Sequence, residues 1–154
     1  MDTLREDGMD AMLATLNAAV PFAAHAKVAV TAVSAEGAEA AIPDAPELRN
    51  HVGSQHAGAL FTLAEAASGA AMTGAFAADL ATATPLVRDG SIRYLKVARG
   101  PISAAARLGT PAAELRATLA ETGRAEFPVE VALTDGEGVT VAEASYRWVL
   151  RRRG

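Results

Sequence analysis

Between His56 and Asp79 the chain carries one charged residue, Glu65. It stands in an apolar, glycine-studded run from Ala57 to Met72. Keeping a carboxylate ionised in such surroundings is costly, because loss of water disfavours the charged form. Immediately upstream lies a polar cluster, Asn50-His51-Val52-Gly53-Ser54-Gln55-His56. The pattern reads as a sharp polar turn followed by a buried helix with one acid two turns in. A carboxylate whose proton affinity is set by burial, close to a helix N-terminus, is a catalytic arrangement. Two simpler readings compete with it. Glu65 could be a structural acid paired with a histidine or the backbone. The run could cross a membrane, but Ala and Gly dominate it rather than Leu, Ile and Val, and no Lys/Arg cluster flanks it closely.

Composition narrows the chemistry further. At 154 residues the chain fits one domain, 1–154, with a single core. Hydrophobic residues make up 51% and charged residues 21%, the balance of a soluble globular protein. A net charge of −4 and few aromatics argue against binding nucleic acid. The absence of cysteine excludes disulfides, thiolate nucleophiles and Cys-based metal sites. The charged start, Met-Asp-Thr-Leu-Arg-Glu-Asp-Gly, lacks the apolar stretch of a signal peptide, so the protein is expected in the cytoplasm, with no membrane partner. There is no phosphate-binding glycine loop and no G-x-S-x-G elbow. His25, His51 and His56 form no H-E-x-x-H pattern, and His51, His56 and Glu65 match no metal-ligand spacing, so no metal is expected. Arg151 to Arg153 read as a solvated strand end.

The elements that must position these residues follow from periodicity. Met9, Met12, Leu13, Leu16 and Val20 recur at helical spacing, giving an N-terminal helix within 1–20 that Pro21 ends or bends at its exit. Lys27–Val33 and Ala38–Ile42 read as strands around a Glu36-Gly37 turn. The long apolar helix is expected over Ala57–Phe76. A loop through Thr82, Thr84 and Pro85 leads to a strand over Ser91–Ala98, and another covers Ile102–Leu108. Thr110 as N-cap and Pro111 at the first helical position open a helix that Gly123 closes. Phe127–Leu133 and Val139–Leu150 form a hairpin around Asp135–Gly138, with Pro128 at an edge or bulge. The fold class is α+β, with a largely antiparallel sheet around one dominant internal helix.

The residues Asn50-x-x-Gly53-x-x-His56-Ala57-Gly58, with Glu65 seven positions after Gly58, resemble the signature of hotdog-fold thioesterases, N-x-x-G-x-x-H-G-G followed by an acid. The PaaI-like acyl-coenzyme A thioesterases are the kind most resembled. The segments Ile92–Gly100 and Asp135-x-x-Gly138-Val-x-Val-Ala-x-Ala also look like that family, so the resemblance spans about Lys27 to Leu150. It implies a sheet curled around the long helix, and homodimers or dimers of dimers with active sites between subunits. Its substrate would be an acyl-coenzyme A or acyl-carrier thioester, with coenzyme A as part of the substrate and no cofactor. Carried over, Glu65 acts as general base or nucleophile, Asn50 positions the water or the acid, and His56 holds the turn or helps polarise the carbonyl. The N–H of Gly58, with Ala57, faces the oxyanion. Gly58 and Glu65 lie near two helical turns apart, roughly 10 Å along the axis. The chain departs from the pattern at Ala57, which replaces the first glycine. It departs again near Val87, where some members carry a Ser or Thr; Thr84 is the nearest hydroxyl upstream. Pocket depth is expected to depend on Leu60, Phe61 and Phe76. Arg93, Lys96 and Arg99 could meet coenzyme A phosphates or simply face solvent. A non-catalytic acyl-thioester binder and a hydratase or dehydratase on the same fold are the rival functions.

Overall fold

The structure, a computed structural model, describes residues 3–154, with side chains from Gly8 onward. Helices α1 (Thr3–Ala19) and α2 (Pro21–His25) come first, then strands β1 (Ala29–Val33) and β2 (Gly37–Ile42). A single 3-10 turn, Pro46–Leu48, leads through the polar cluster into α3 (Ala57–Phe76). Strands β3 (Ala83–Tyr94) and β4 (Ile102–Leu108), helix α4 (Ala112–Thr122), and strands β5 (Arg124–Thr134) and β6 (Thr140–Arg152) complete the fold. The six strands form one antiparallel sheet in the order β1-β2-β4-β5-β6-β3. It curls around α3, the α+β layout that the sequence predicts. The expected span of α3 is met at both ends.

Helix α3 is 20 residues long, about 30 Å. Leu60, Leu63, Ala64, Ala67, Ala71, Ala75 and Phe76 are buried against the sheet, where Phe76 stacks on Phe127 of β5. Small side chains let the helix approach the sheet closely. At Gly74 the approach is closest: a Cβ built there would lie 2.1 Å from the Ser34 carbonyl oxygen and 2.8 Å from a Val33 methyl. Only glycine fits at that position. Among the described residues no helix is long and apolar enough to cross a membrane.

Three expectations are corrected. β3 begins at Ala83, eight residues before the predicted Ser91, and ends at Tyr94 rather than Ala98. Its first half, Ala-Thr-Pro-Leu-Val-Arg-Asp-Gly, carries loop-forming residues, yet the long β6 pairs with all of it, from Ala83↔Arg152 to Tyr94↔Ala142, through one bulge at Val87/Asp89. Pro85 is tolerated because β3 is an edge strand. Pro111 occupies the N-cap of α4, displacing Thr110, and its carbonyl accepts the first bonds from Glu114 and Leu115. Pro21 does more than end α1: it opens α2 at its first turn. The predicted N-terminal helix over 1–20 is seen as Thr3–Ala19, its first two positions lying outside the described residues.

The other landmarks stand where the sequence puts them. Asp135 Oδ1 accepts the N–H groups of Glu137 and Val139, and Gly138 takes φ +78°, closing the β5–β6 hairpin. Pro128 lies just past the end of β4, whose last pair is Leu108↔Val129, so no strand flanks it on that side. α1 is fastened to the outer edge of β1 by Asn17, whose Nδ2 donates to the Val30 carbonyl at 3.1 Å and whose Oδ1 accepts the Val30 N–H at 2.7 Å.

The close approach at Gly74 predicts that Gly74→Ala destabilises the protein by about 1–3 kcal/mol through overpacking. Urea unfolding should show a lower midpoint at an unchanged m-value. A midpoint equal to that of the parent would refute the contact.

Candidate active site

The polar cluster is a locked turn. Asn50 Oδ1 accepts the N–H groups of Val52 and Ser54, both at 3.1 Å, and its Nδ2 donates to Ser54 Oγ at 2.8 Å. Gly53 takes φ +75°, which glycine adopts without strain. Both ends of the Asn50 amide therefore hold the turn. The turn is latched to the body by Gln55, buried at 4% exposure, whose Nε2 donates to the carbonyls of Pro43 and Gly100. The His56 N–H donates to the Leu48 carbonyl at 2.8 Å.

His56 is the N-cap of α3, with extended backbone, and its Nδ1 accepts the Gly58 N–H at 2.8 Å. A side-chain acceptor at this position satisfies one of the helix's unpaired first-turn donors. The neutral ring then carries its proton on Nε2, leaving a second donor there. The Gly58 amide, expected to face the substrate, is thus already engaged. The N–H of Ala57, one residue earlier, has no acceptor among the described residues. Tyr94, at the end of β3, donates its hydroxyl to the Ala57 carbonyl at 3.0 Å and ties the sheet to the helix start.

Glu65 lies two turns further along α3, half-buried. Burial raises its pKa above the ordinary value of 4.5, with no opposing partner. Its carboxylate makes no ion pair or hydrogen bond among the described residues, which disposes of the structural pairing with a histidine. Its backbone carbonyl accepts from Ser68 Oγ at 2.7 Å, and Ser68 Oγ in turn accepts from Trp148 Nε1 at 3.0 Å, all out of water. The Tyr146 hydroxyl donates to the Phe61 carbonyl at 2.8 Å, one turn before Glu65. Burial, and then the negative charge of Glu65, push the Tyr146 hydroxyl to a higher pKa.

Within one protomer these residues do not share a single pocket. Glu65 lines an apolar cavity of about 280 Å3 between α1, α3 and β6. His56 and Gly58 line an open recess toward α2, together with Phe61, Thr62 and Tyr94. Asn50 and Ala57 face a third depression beside Tyr94 and Lys96. Of the residues expected to set pocket depth, Phe76 and Leu60 belong to the core and none lines the Glu65 cavity. Thr84 is exposed on β3, its hydroxyl accepting from Arg153. Among the described residues no three His, Asp or Glu side chains gather as a metal site.

Gln55, Tyr94, Tyr146, Ser68 and Trp148 were not singled out from sequence. The signal was present for two of them. A tyrosine and a tryptophan on the inward face of β6 must find partners for O–H and N–H, and both find them on α3.

A family model described as a domain of unknown function, DUF4442, matches residues 8–150. The chain belongs to the DUF4442 family. A Pseudomonas aeruginosa protein of unknown function, described as a probable thioesterase, is 31% identical to this DUF4442 member. The match covers 94% of this chain and 95% of that one, with a TM-score of 0.83. A mutant thioesterase from Pseudomonas aeruginosa is 19% identical over 92% of this chain and 94% of its own, with a TM-score of 0.75. A mutant of a hypothetical thioesterase from Streptococcus pneumoniae is 19% identical over 82% of this chain and 91% of its own, with a TM-score of 0.63. These two share the fold, which is the hotdog fold. No curated protein matches the chain.

The desolvated acid predicts a pH-dependent stability. The folded state holds the Glu65 proton more tightly than the unfolded chain, whose value is near 4.5. Stability is therefore full below that value and is lost as pH rises through the raised folded value. Glu65→Gln should raise the melting temperature at neutral pH, and the gain should vanish below about pH 4. An equal gain at both pH values would show that burial of the charge is not its source.

Proposed function

We propose that this DUF4442 member is an acyl-thioester hydrolase, with Glu65 as its general base or nucleophile. One observation carries the reading: a half-buried carboxylate without a partner, on the wall of an apolar cavity, two turns from a helix N-terminus. The 31% identical probable thioesterase supports it, and the Asn50–Glu65 spacing favours the PaaI-like kind. Glu65 takes a proton from water, and the water oxygen attacks the thioester carbonyl carbon. The N-terminal end of α3 stabilises the resulting oxyanion. The Ala57 N–H and His56 Nε2–H are the open donors, and Gly58 contributes only by sharing the bond it makes to His56. The carbon–sulfur bond then breaks, and the proton passes from Glu65 to the departing thiolate, leaving a carboxylic acid and a thiol. The nucleophilic route replaces the water attack with a mixed anhydride that water later opens. Asn50 serves by holding the turn that presents these donors. Coenzyme A or an acyl carrier would supply the thiol.

The site is completed by a second copy of the chain. β3 is a twelve-residue edge strand with no strand on its outer side among the described residues, and Leu86 on it is 66% exposed. A long, exposed, partly apolar edge invites pairing with another strand. Joining two β3 edges would bring partner residues toward the depressions that β3 itself lines, through Pro85 beside Glu65 and Tyr94 beside His56 and Ala57.

Thiol release from acyl-coenzyme A substrates tests the mechanism. Glu65→Ala should lower kcat by about 10²–10⁴-fold. The acidic limb of the parent's kcat/KM profile should lie above the ordinary glutamate range, because the base works only when deprotonated. Full activity in Glu65→Ala would rule the mechanism out. Tight binding without thiol release would favour the non-catalytic binder. Separately, a double substitution of Leu86 and Val87 by lysine should both dissociate the assembly in sedimentation and abolish turnover; a monomer with parental activity would overturn the shared site.

A further inference from the structure

The cavity at Glu65 holds about 280 Å3, roughly twice the ~150 Å3 cavity that admits one benzene molecule. Its roof is α1, through Leu16, Asn17 and Val20, and its floor is Gly69 and Met72 of α3 with the Trp148 ring of β6. Almost every polar group on this wall is already satisfied. Both ends of the Asn17 amide are bonded to Val30. Thr73 Oγ1 donates to the Gly69 carbonyl at 2.9 Å, and Trp148 Nε1 donates to Ser68 Oγ at 3.0 Å. Among the described residues, the Glu65 carboxylate is the one lining side-chain group left without a partner. An occupant therefore meets mostly hydrocarbon along this wall, and one unpartnered polar side chain, Glu65, at the N-terminal end of its α3 lining.

We infer that this cavity takes an unsubstituted acyl chain of roughly eight to ten carbons, with its carbonyl carbon at the Glu65 end. The assignment rests on the thioester reading and adds the substrate class. A hydroxyl group far along the chain would lose its water and meet only hydrocarbon and polar groups that are already bonded, which penalises acyl groups hydroxylated away from the carbonyl end. Chain length is limited by the volume of the cavity. Ala70 and Met72, 3% and 4% exposed, stand on its wall. The roof is held by the Asn17 clamp to β1.

Trp148 is the only tryptophan of the chain and lines the cavity, so its emission reports occupancy directly. Two measurements on the intact protein decide the matter. The first is thiol release from coenzyme A thioesters, from acetyl to palmitoyl, with counterparts hydroxylated at the far end of the chain. The second is Trp148 emission during titration with the matching free fatty acids. The expected kcat/KM is highest for octanoyl and decanoyl groups, at least about 10-fold above acetyl, and on the order of 10- to 100-fold above the forms hydroxylated at the chain end. Ala70→Leu should move the optimum to shorter chains and Met72→Ala to longer ones. Decanoate should change the emission saturably in the unsubstituted protein, whether or not either variant folds. A saturable change without any thiol release would keep the chain pocket and overturn the hydrolase. Thiol release indifferent to chain length and hydroxylation, with unchanged emission, would keep the hydrolase and overturn the pocket.

Discussion

Everything in this fold is arranged around the packing of α3 against the concave side of the sheet. Ten of its twenty residues are buried, and half of those are alanines. Small side chains remove little apolar area each, so the helix gains stability by coming close rather than by interdigitating large groups. The closest points are Gly74 against the Ser34 carbonyl and Gly69 against the Trp148 ring, where a Cβ would sit 3.2 Å from a ring carbon. A helix seated this deeply can hold one carboxylate away from water, and no ordinary surface helix could.

The same closeness explains how the two ends of the candidate site are fixed. At the N-terminus, the Asn50 turn, the Gln55 latch and the His56 cap leave little freedom to the first turn of α3, and Tyr94 ties it to β3. Two turns on, the Ser68–Trp148 bond anchors the backbone beside Glu65 to β6. Donors and acid are thus held by different strands but by one rigid helix, which sets their separation. The cap has a consequence for chemistry. An imidazole that accepts the Gly58 amide removes one free donor from the start of α3 and leaves its own Nε2–H in exchange.

The outer edge of β3 is the unfinished part of the protomer, since no strand among the described residues pairs with it. Phe61, Thr62, Glu65, Ala66 and Gly69 follow one stripe at helical spacing, and Glu65 is the only charge on it. Such a stripe is poorly suited to water, and so is the long unpaired strand beside it. Within the protomer α1 and Trp148 already flank the Glu65–Gly69 end of that stripe, while Phe61 is 37% exposed.

The amino-acid sequence by itself determined the limits of α3, the α+β class, the β5–β6 hairpin and Glu65 as the unusual acid. Each of these is written in local pattern: charge depletion over twenty residues, strict alternation, or an Asp-Gly turn. The start of β3 was not legible, because Pro85, Asp89 and Gly90 favour a loop and only the length of β6 overrules them. Gly90 itself is needed there because a Cβ would press on the Tyr146 ring at 2.7 Å. The partner of the Gly58 amide, the Trp148–Ser68–Glu65 chain and the roof that Asn17 fastens over the cavity were likewise decided by tertiary structure alone. These contacts join residues as much as 80 positions apart, and a hydrogen bond across such a distance leaves no periodic trace in the sequence that makes it.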